Sequence, residues 1–145
     1  MKTRAVITAA ALALASVKAD ASFLKALGKI ESNNNPAAVG DVGRKNRAYG
    51  LYQMRLPAVT DVNSAFGTAY RPEDALDPAK AVEMAQKYLA VVYAGFKRRE
   101  GRAPNPVELA RMWNGGPLGC KKESTVEYGI KFNRAYIEAK LQSDK

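Results

Sequence analysis

Three helix starts punctuate the second half of the chain, and they confine its fold to one built largely of helices. Asp77-Pro78 sets a capping carboxylate ahead of a proline at the first helical position, where the missing N–H is not needed. Asn105-Pro106-Val107-Glu108 repeats that signal and adds a glutamate spaced for a capping box. Ser124-Thr125-Val126-Glu127 has the same capping spacing. Apolar residues recur at helical intervals behind each start. Val82, Ala85, Leu89, Val92 and Phe96 mark one face of the longest helix, which the pattern ends near Gly95. Leu109, Met112 and Trp113 follow the second start, and Tyr128, Phe132, Ala135 and Ala139 the third. Between them, Lys97–Pro104 (KRREGRAP) reads as a charged, solvated loop, and Gly115-Gly116-Pro117 as a stop.

The first half adds two more helices. Phe23, Leu24, Leu27 and Ile30 predict an amphipathic helix over residues 22–32, closed by Asn33-Asn34-Asn35-Pro36. Residues 37–56 are rich in Gly, Asn and Arg and predict a long loop with a short strand near Tyr49–Met54. Pro57 opens a helix running to about Phe66. The expected architecture is a single, mainly α domain of about five helices, with one irregular loop or small β element after the first. A length of 145 residues suits one domain.

Ahead of the domain, Lys2 and Arg4 precede an apolar run, Ala5–Ser16, too short to span a membrane. Small residues follow, with cleavage expected after Ala19 or Ala21. Residues 1–21 are thus expected to be a signal peptide, with 22–145 the mature domain, secreted or periplasmic and without a membrane span. Cleavage after Ala19 removes Lys2, Arg4 and Lys18 and no acid, which takes the net charge from +9 to +6. A basic exported protein is drawn to polyanions. Its cations are dispersed rather than interleaved with aromatics, and with export this argues against nucleic acid.

The chain has no histidine and one cysteine. Ser-His-Asp and Cys-His nucleophile systems are excluded, and a zinc site is disfavoured. No metal or other cofactor is expected. Cys120 has no partner for an internal disulfide; a buried thiol, an exposed reactive one and an inter-chain bridge are all open to it. Carboxylates remain as agents of chemistry. Glu31 stands out, because with Leu24 and Leu27 it falls on the apolar face at the end of its helix. An acid in a partly apolar setting has its charged form disfavoured and keeps its proton longer. Helix periodicity alone favours the blander reading, a glutamate reaching solvent from the last turn.

Downstream motifs change the weighting. Glu31-Ser32 is followed by Asn35-Pro36, by Gly50-Leu51-Tyr52-Gln53-Met54, by Ala75-Leu76-Asp77-Pro78 and Tyr88-Leu89, and by Trp113-Asn114-Gly115-Gly116-Pro117. This ordered set resembles the soluble lytic transglycosylase (SLT) family of the lysozyme superfamily, over about residues 24–136. Trp113 and Gly115 stand where that family more often has Tyr and Ala. The Gly40-Asp41-Val42-Gly43 run is more similar to goose-type lysozymes.

The resemblance implies a lysozyme-like fold and cleavage of the β-1,4 bond between N-acetylmuramic acid and N-acetylglucosamine in peptidoglycan. Glu31 matches the catalytic acid/base, and Ser32 the neighbour that orients it. Gly50, Tyr52, Gln53 and Met54 match the loop along the sugar cleft: Gly50 for close approach to the glycan, Gln53 as cleft lining, Met54 packed beneath. Asn114 matches the late-turn residue facing the N-acetyl side, and Tyr128 the tyrosine pointing at the acid. Asp41 is the candidate second carboxylate of a hydrolytic, goose-type scheme, with Asp61 a weaker one. Trp113 suits either a sugar-stacking face or the core. The implied partner is peptidoglycan glycan strands, bound by a monomer. A non-catalytic wall-binding or inhibitor protein on the same fold is the rival from another class.

Overall fold

The structure is a computed structural model that describes residues 19–145. Residues 1–18, most of the expected signal peptide, lie outside the described residues. The described part begins inside the expected signal peptide, and it is folded there. The backbone of Ala19 exchanges two hydrogen bonds with the Gln86 side chain, at 2.8 and 3.0 Å. Asp20 caps the first helix by accepting from the Phe23 N–H at 2.7 Å. Its other oxygen accepts from Tyr136 and Lys140 on the last helix. Asp20 and Ala21 are therefore built into the first helix and its contacts with the last. Cleavage after Ala21 would strip the cap, whereas cleavage after Ala19 leaves it in place. Asp20→Ala should cost about 1–2 kcal/mol, read as a lower urea midpoint at pH 7. An unchanged midpoint would show that the cap carries no stability.

Helix α1 spans Ala21–Ser32 and ends on Asn33 in the left-handed conformation, φ 53°. Strands β1 (Val39–Gly40) and β2 (Ala48–Tyr49) pair antiparallel, with Val39 opposite Tyr49 and Gly40 opposite Ala48. The strand expected near Tyr49–Met54 is thus a two-residue strand plus one bridge, in which Tyr49 and Met54 exchange backbone bonds of 2.9 Å. Helix α2 (Leu56–Phe66) has Pro57 in its first turn and stops at Gly67, φ 66°. A 3-10 turn, Pro72–Leu76, leads to α3.

Helix α3 spans Pro78–Glu100, with Asp77 accepting from the N–H groups of Ala79 and Lys80. The expected stop near Gly95 and the loop over Lys97–Pro104 are both corrected: the helix runs five residues further and ends at Gly101, φ 70°. Phe96, 1% exposed, continues the inward face past Gly95. The Lys97-Arg98-Arg99 run, which looked like loop, lies in the last turn, where cations suit the negative end of the helix dipole. Val82 is also corrected. It is 38% exposed, and the inward stripe is Ala81, Met84, Ala85, Tyr88, Leu89, Val92 and Phe96.

Helix α4 (Pro106–Gly115) carries the expected capping box, with Asn105 and Glu108 each bonding the other's backbone N–H. Helix α5 (Val126–Ser143) does not, because the last capping signal is spent on a 3-10 turn, Glu123–Thr125. The buried Thr125 hydroxyl donates to the Gly119 carbonyl at 2.6 Å, and accepts from the Arg111 guanidinium at 2.9 Å. It locks the turn between α4 and α5 instead of capping a helix. Cys120 lies in that turn, partly buried against the core. Helix α1 packs on α5 through Phe23 and Phe132, whose ring centroids are 4.7 Å apart, while α3 packs against α2 and α4. Among the described residues no helix is long and apolar enough to cross a membrane.

Candidate functional site

Where α1 ends, the β loop turns and α4 stops, the chain leaves a cleft of about 320 Å³. Glu31 is the single carboxylic acid among the residues lining it. It arrives there because α1 carries it on the same side as the buried Leu27, about one turn beyond it and next to the helix end. Gln53, Met54 and Arg55 line one wall, and Trp113, Asn114, Gly115 and Gly116 another. Tyr88 comes up from α3, with Pro57 and Ala58 from α2.

The Tyr128 hydroxyl, from α5, donates to Oε1 of Glu31 at 2.6 Å. This bond holds the carboxyl and leaves Oε2 free of it. Burial pushes the Glu31 pKa up, and that effect outweighs the Tyr128 hydroxyl, the Arg55 charge and the Trp113 indole, which all favour the carboxylate. Burial and the neighbouring Glu31 likewise hold the Tyr128 proton well above its ordinary range. Tyr88, raised to about 12 by burial and by the charge of Asp61, also stays protonated. The cleft therefore offers one acid whose protonated form burial favours, beside two neutral phenols.

The other sequence-predicted residues sort by position. Asn114 is exposed on the rim. Gln53 lines the cleft, but its amide donates to the carbonyls of Ala38 and Gly50, so it also stitches its own turn at φ 53°. Met54, 1% exposed, forms the floor. Trp113 is half-buried and meets Tyr52 and Tyr88 edge-on, joining core to cleft.

Three expected roles change. The Ser32 hydroxyl makes no hydrogen bond to Glu31: it donates to the Leu51 carbonyl at 2.7 Å and accepts from the Asn35 N–H. It pins the end of α1 to the loop, and so positions Glu31 through the backbone. Tyr52 is 5% exposed and lies under the site in the core rather than along the cleft. Gly50 has φ 78°, and a Cβ there would stand 1.9 Å from the Ala75 carbonyl oxygen. That backbone contact by itself requires a residue without a side chain here.

Asp41 lies at φ 53° beside the cleft, and its carboxylate is ion-paired with Arg55. Asp61 acts on the site only through its charge on Tyr88. Arg55 is the residue that sequence reading missed. It follows Met54 directly, faces Glu31 electrostatically and donates to the Asn46 carbonyl at 3.2 Å. A lone cation behind the Gln53-Met54 turn was the available signal.

The sequence model of the transglycosylase SLT domain matches residues 9–130. The chain belongs to the transglycosylase SLT family. Among solved structures, a chain in "Crystal structure of Aeromonas hydrophila PliI in complex with Meretrix lusoria lysozyme" is similar, with a TM-score of 0.61 and 22% identity. That match covers 79% of this SLT-family chain and 88% of the other, and shows a shared fold. No curated protein matches. The mainly α, lysozyme-like architecture expected from the motifs is the one the SLT chain has. Membership gives peptidoglycan as the family's substrate and makes Glu31, at the centre of the cleft, the residue to test.

Proposed function

We propose that the protein cleaves the β-1,4 bond between N-acetylmuramic acid and N-acetylglucosamine as a lytic transglycosylase, with Glu31 as acid and then base. The observation that carries this reading is the solitary, half-buried Glu31 in the cleft, oriented by Tyr128. Protonated Glu31 donates to the glycosidic oxygen as the bond to muramic C1 breaks. The resulting carboxylate then takes the proton of the muramic C6 hydroxyl as that oxygen bonds C1, and Glu31 ends as it began. The products are a free 4-hydroxyl and a 1,6-anhydro end, and no second carboxylate is required. Digesting purified peptidoglycan and weighing the muropeptides tests the scheme; ends carrying an added water would overturn it.

Those added-water ends belong to the hydrolytic reading, in which Asp41 activates a water. Its pairing with Arg55 favours the single-acid scheme, because that cation competes for the lone pairs a base needs. Asp41→Asn should lower turnover less than about fivefold, as expected of an exposed ion pair. A loss beyond roughly a hundredfold in a folded variant would instead make Asp41 a base. Tyr128→Phe removes a bond that favours the charged form of Glu31, so the Glu31 pKa should rise. The alkaline limb of kcat/KM, where the acid loses its proton, should move to higher pH, with turnover at neutral pH falling roughly tenfold. An unmoved limb would detach Tyr128 from the acid's titration. The leader motif supports action outside the cytoplasm after cleavage at Ala19, and the Asp20 cap supports that site over Ala21.

A further inference from the structure

Gly115 stands where the SLT family more often has alanine. It is the last residue of α4, its φ is not positive, and alanine would favour the helix there. Nothing in its own conformation calls for glycine. The obstacle is Thr125, 1% exposed, which does not line the cleft. A Cβ on Gly115 would stand 2.5 Å from the Thr125 methyl carbon, Cγ2, and 3.9 Å from the Thr125 Cβ. That methyl has no room to swing away. Threonine is stiff at its first side-chain torsion. Its Oγ1 is also held, donating to the Gly119 carbonyl at 2.6 Å and accepting from the Arg111 guanidinium at 2.9 Å.

Gly115 belongs to the cleft wall formed by Trp113, Asn114, Gly115 and Gly116. Two successive glycines leave that wall little stiffness of its own. At Gly116, φ 87°, a Cβ would meet nothing within 4 Å. The wall is held from residues that do not line it. Lys122 donates to the Gly115 carbonyl at 2.7 Å, and Arg99 to the Pro117 carbonyl at 2.7 Å. Both cations are exposed, so water competes for these bonds. Thr125 makes the buried contact of the three.

We propose that Thr125 is a positioning residue for the cleft: its methyl takes the place of the side chain that Gly115 lacks, and so fixes the Trp113–Gly116 wall against which substrate binds. The proposal rests on the reading that the cleft holds peptidoglycan glycan. Through the Gly119 carbonyl and Arg111, the same side chain ties this wall to the turn between α4 and α5.

The test is a double-mutant cycle of Thr125→Ser, Gly115→Ala and the pair together, on soluble glycan strands. Serine keeps the hydroxyl and removes the methyl, which loosens the wall. Alanine at 115 alone collides with the threonine methyl, whereas beside serine it meets a Cβ at 3.9 Å, an ordinary contact. Each single variant should raise KM about five- to tenfold with kcat within about twofold, and the pair should return KM to within about twofold of the parent. Trp113, the one tryptophan of the chain, reports the wall without substrate. Its fluorescence emission should shift in both single variants and return in the pair. A pair no better than the worse single variant would overturn the proposal. So would a Thr125→Ser protein that melts lower but keeps the parent's KM and emission, which is the mark of a purely structural residue. A parent that releases no muropeptides would defeat the catalytic reading, and the Trp113 emission of the four proteins would still decide whether Thr125 sets the wall.

Discussion

Replacing Glu31 with glutamine is expected to lower glycan release from purified walls by roughly 10³-fold, the scale of lost general acid–base catalysis. The substitution keeps the side chain's shape and an oxygen that accepts from the Tyr128 hydroxyl, so the cleft remains intact. The same change should stabilise the fold. Burial raises the Glu31 pKa above that of the unfolded chain, so the folded state holds this proton more tightly. Glu31 thus favours the fold fully below the ordinary carboxylate range, and that contribution is lost as pH rises through the raised folded value. Glutamine, which never ionises, escapes the loss. The variant should melt about 2–5 °C above the parent at pH 8, and the two should converge near pH 4. Undiminished lysis by Glu31→Gln would show that Glu31 is not the catalyst. A lower melting temperature at pH 8 would contradict the burial argument.

Gly50→Ala is expected to cost more than about 3 kcal/mol, a large part of a domain's 5–15 kcal/mol. Two causes add. The backbone at φ 78° disfavours any L side chain, and the new methyl would meet the Ala75 carbonyl, a backbone atom that has no rotamer to move away. Ala75 is buried in the 3-10 turn that leads to α3, so relief would have to displace that helix start. Urea unfolding with and without glycan separates the two meanings of this glycine. A variant as stable as the parent, but weak in glycan binding, would restore the reading of Gly50 as the residue that lets sugar approach.

The helices were legible wherever a start signal and an apolar stripe agreed. Asp77-Pro78 and the Asn105–Glu108 box act as their chemistry demands. The errors arose where local chemistry was ambiguous. Gly95 resembles a stop only if the chain turns left-handed there, and the burial of Phe96 one residue later keeps the helix going. Thr125 has the composition of a cap, but Arg111 and the Gly119 carbonyl, from elsewhere in the fold, claim its hydroxyl first. Asp20 looked like part of a processing site, and its role as cap is visible only once Tyr136 and Lys140 are seen to meet it.

The candidate site divides the same way. By itself the sequence determined that a glutamate would close the first helix on its apolar side, that a Gly-Leu-x-Gln-Met loop would follow, and that an Asn-Gly-Gly turn would come late in the chain. These follow from periodicity and motif order, which are properties of neighbours along the chain. Only the tertiary structure decided what each residue touches: that Tyr128 reaches Glu31 across 97 positions, that Ser32 bonds Leu51 and not the acid, that Gly50 answers to Ala75, and that Arg55 stands between Asp41 and the cleft. Side-chain contacts between distant segments depend on how the helices pack, and no local pattern encodes that packing.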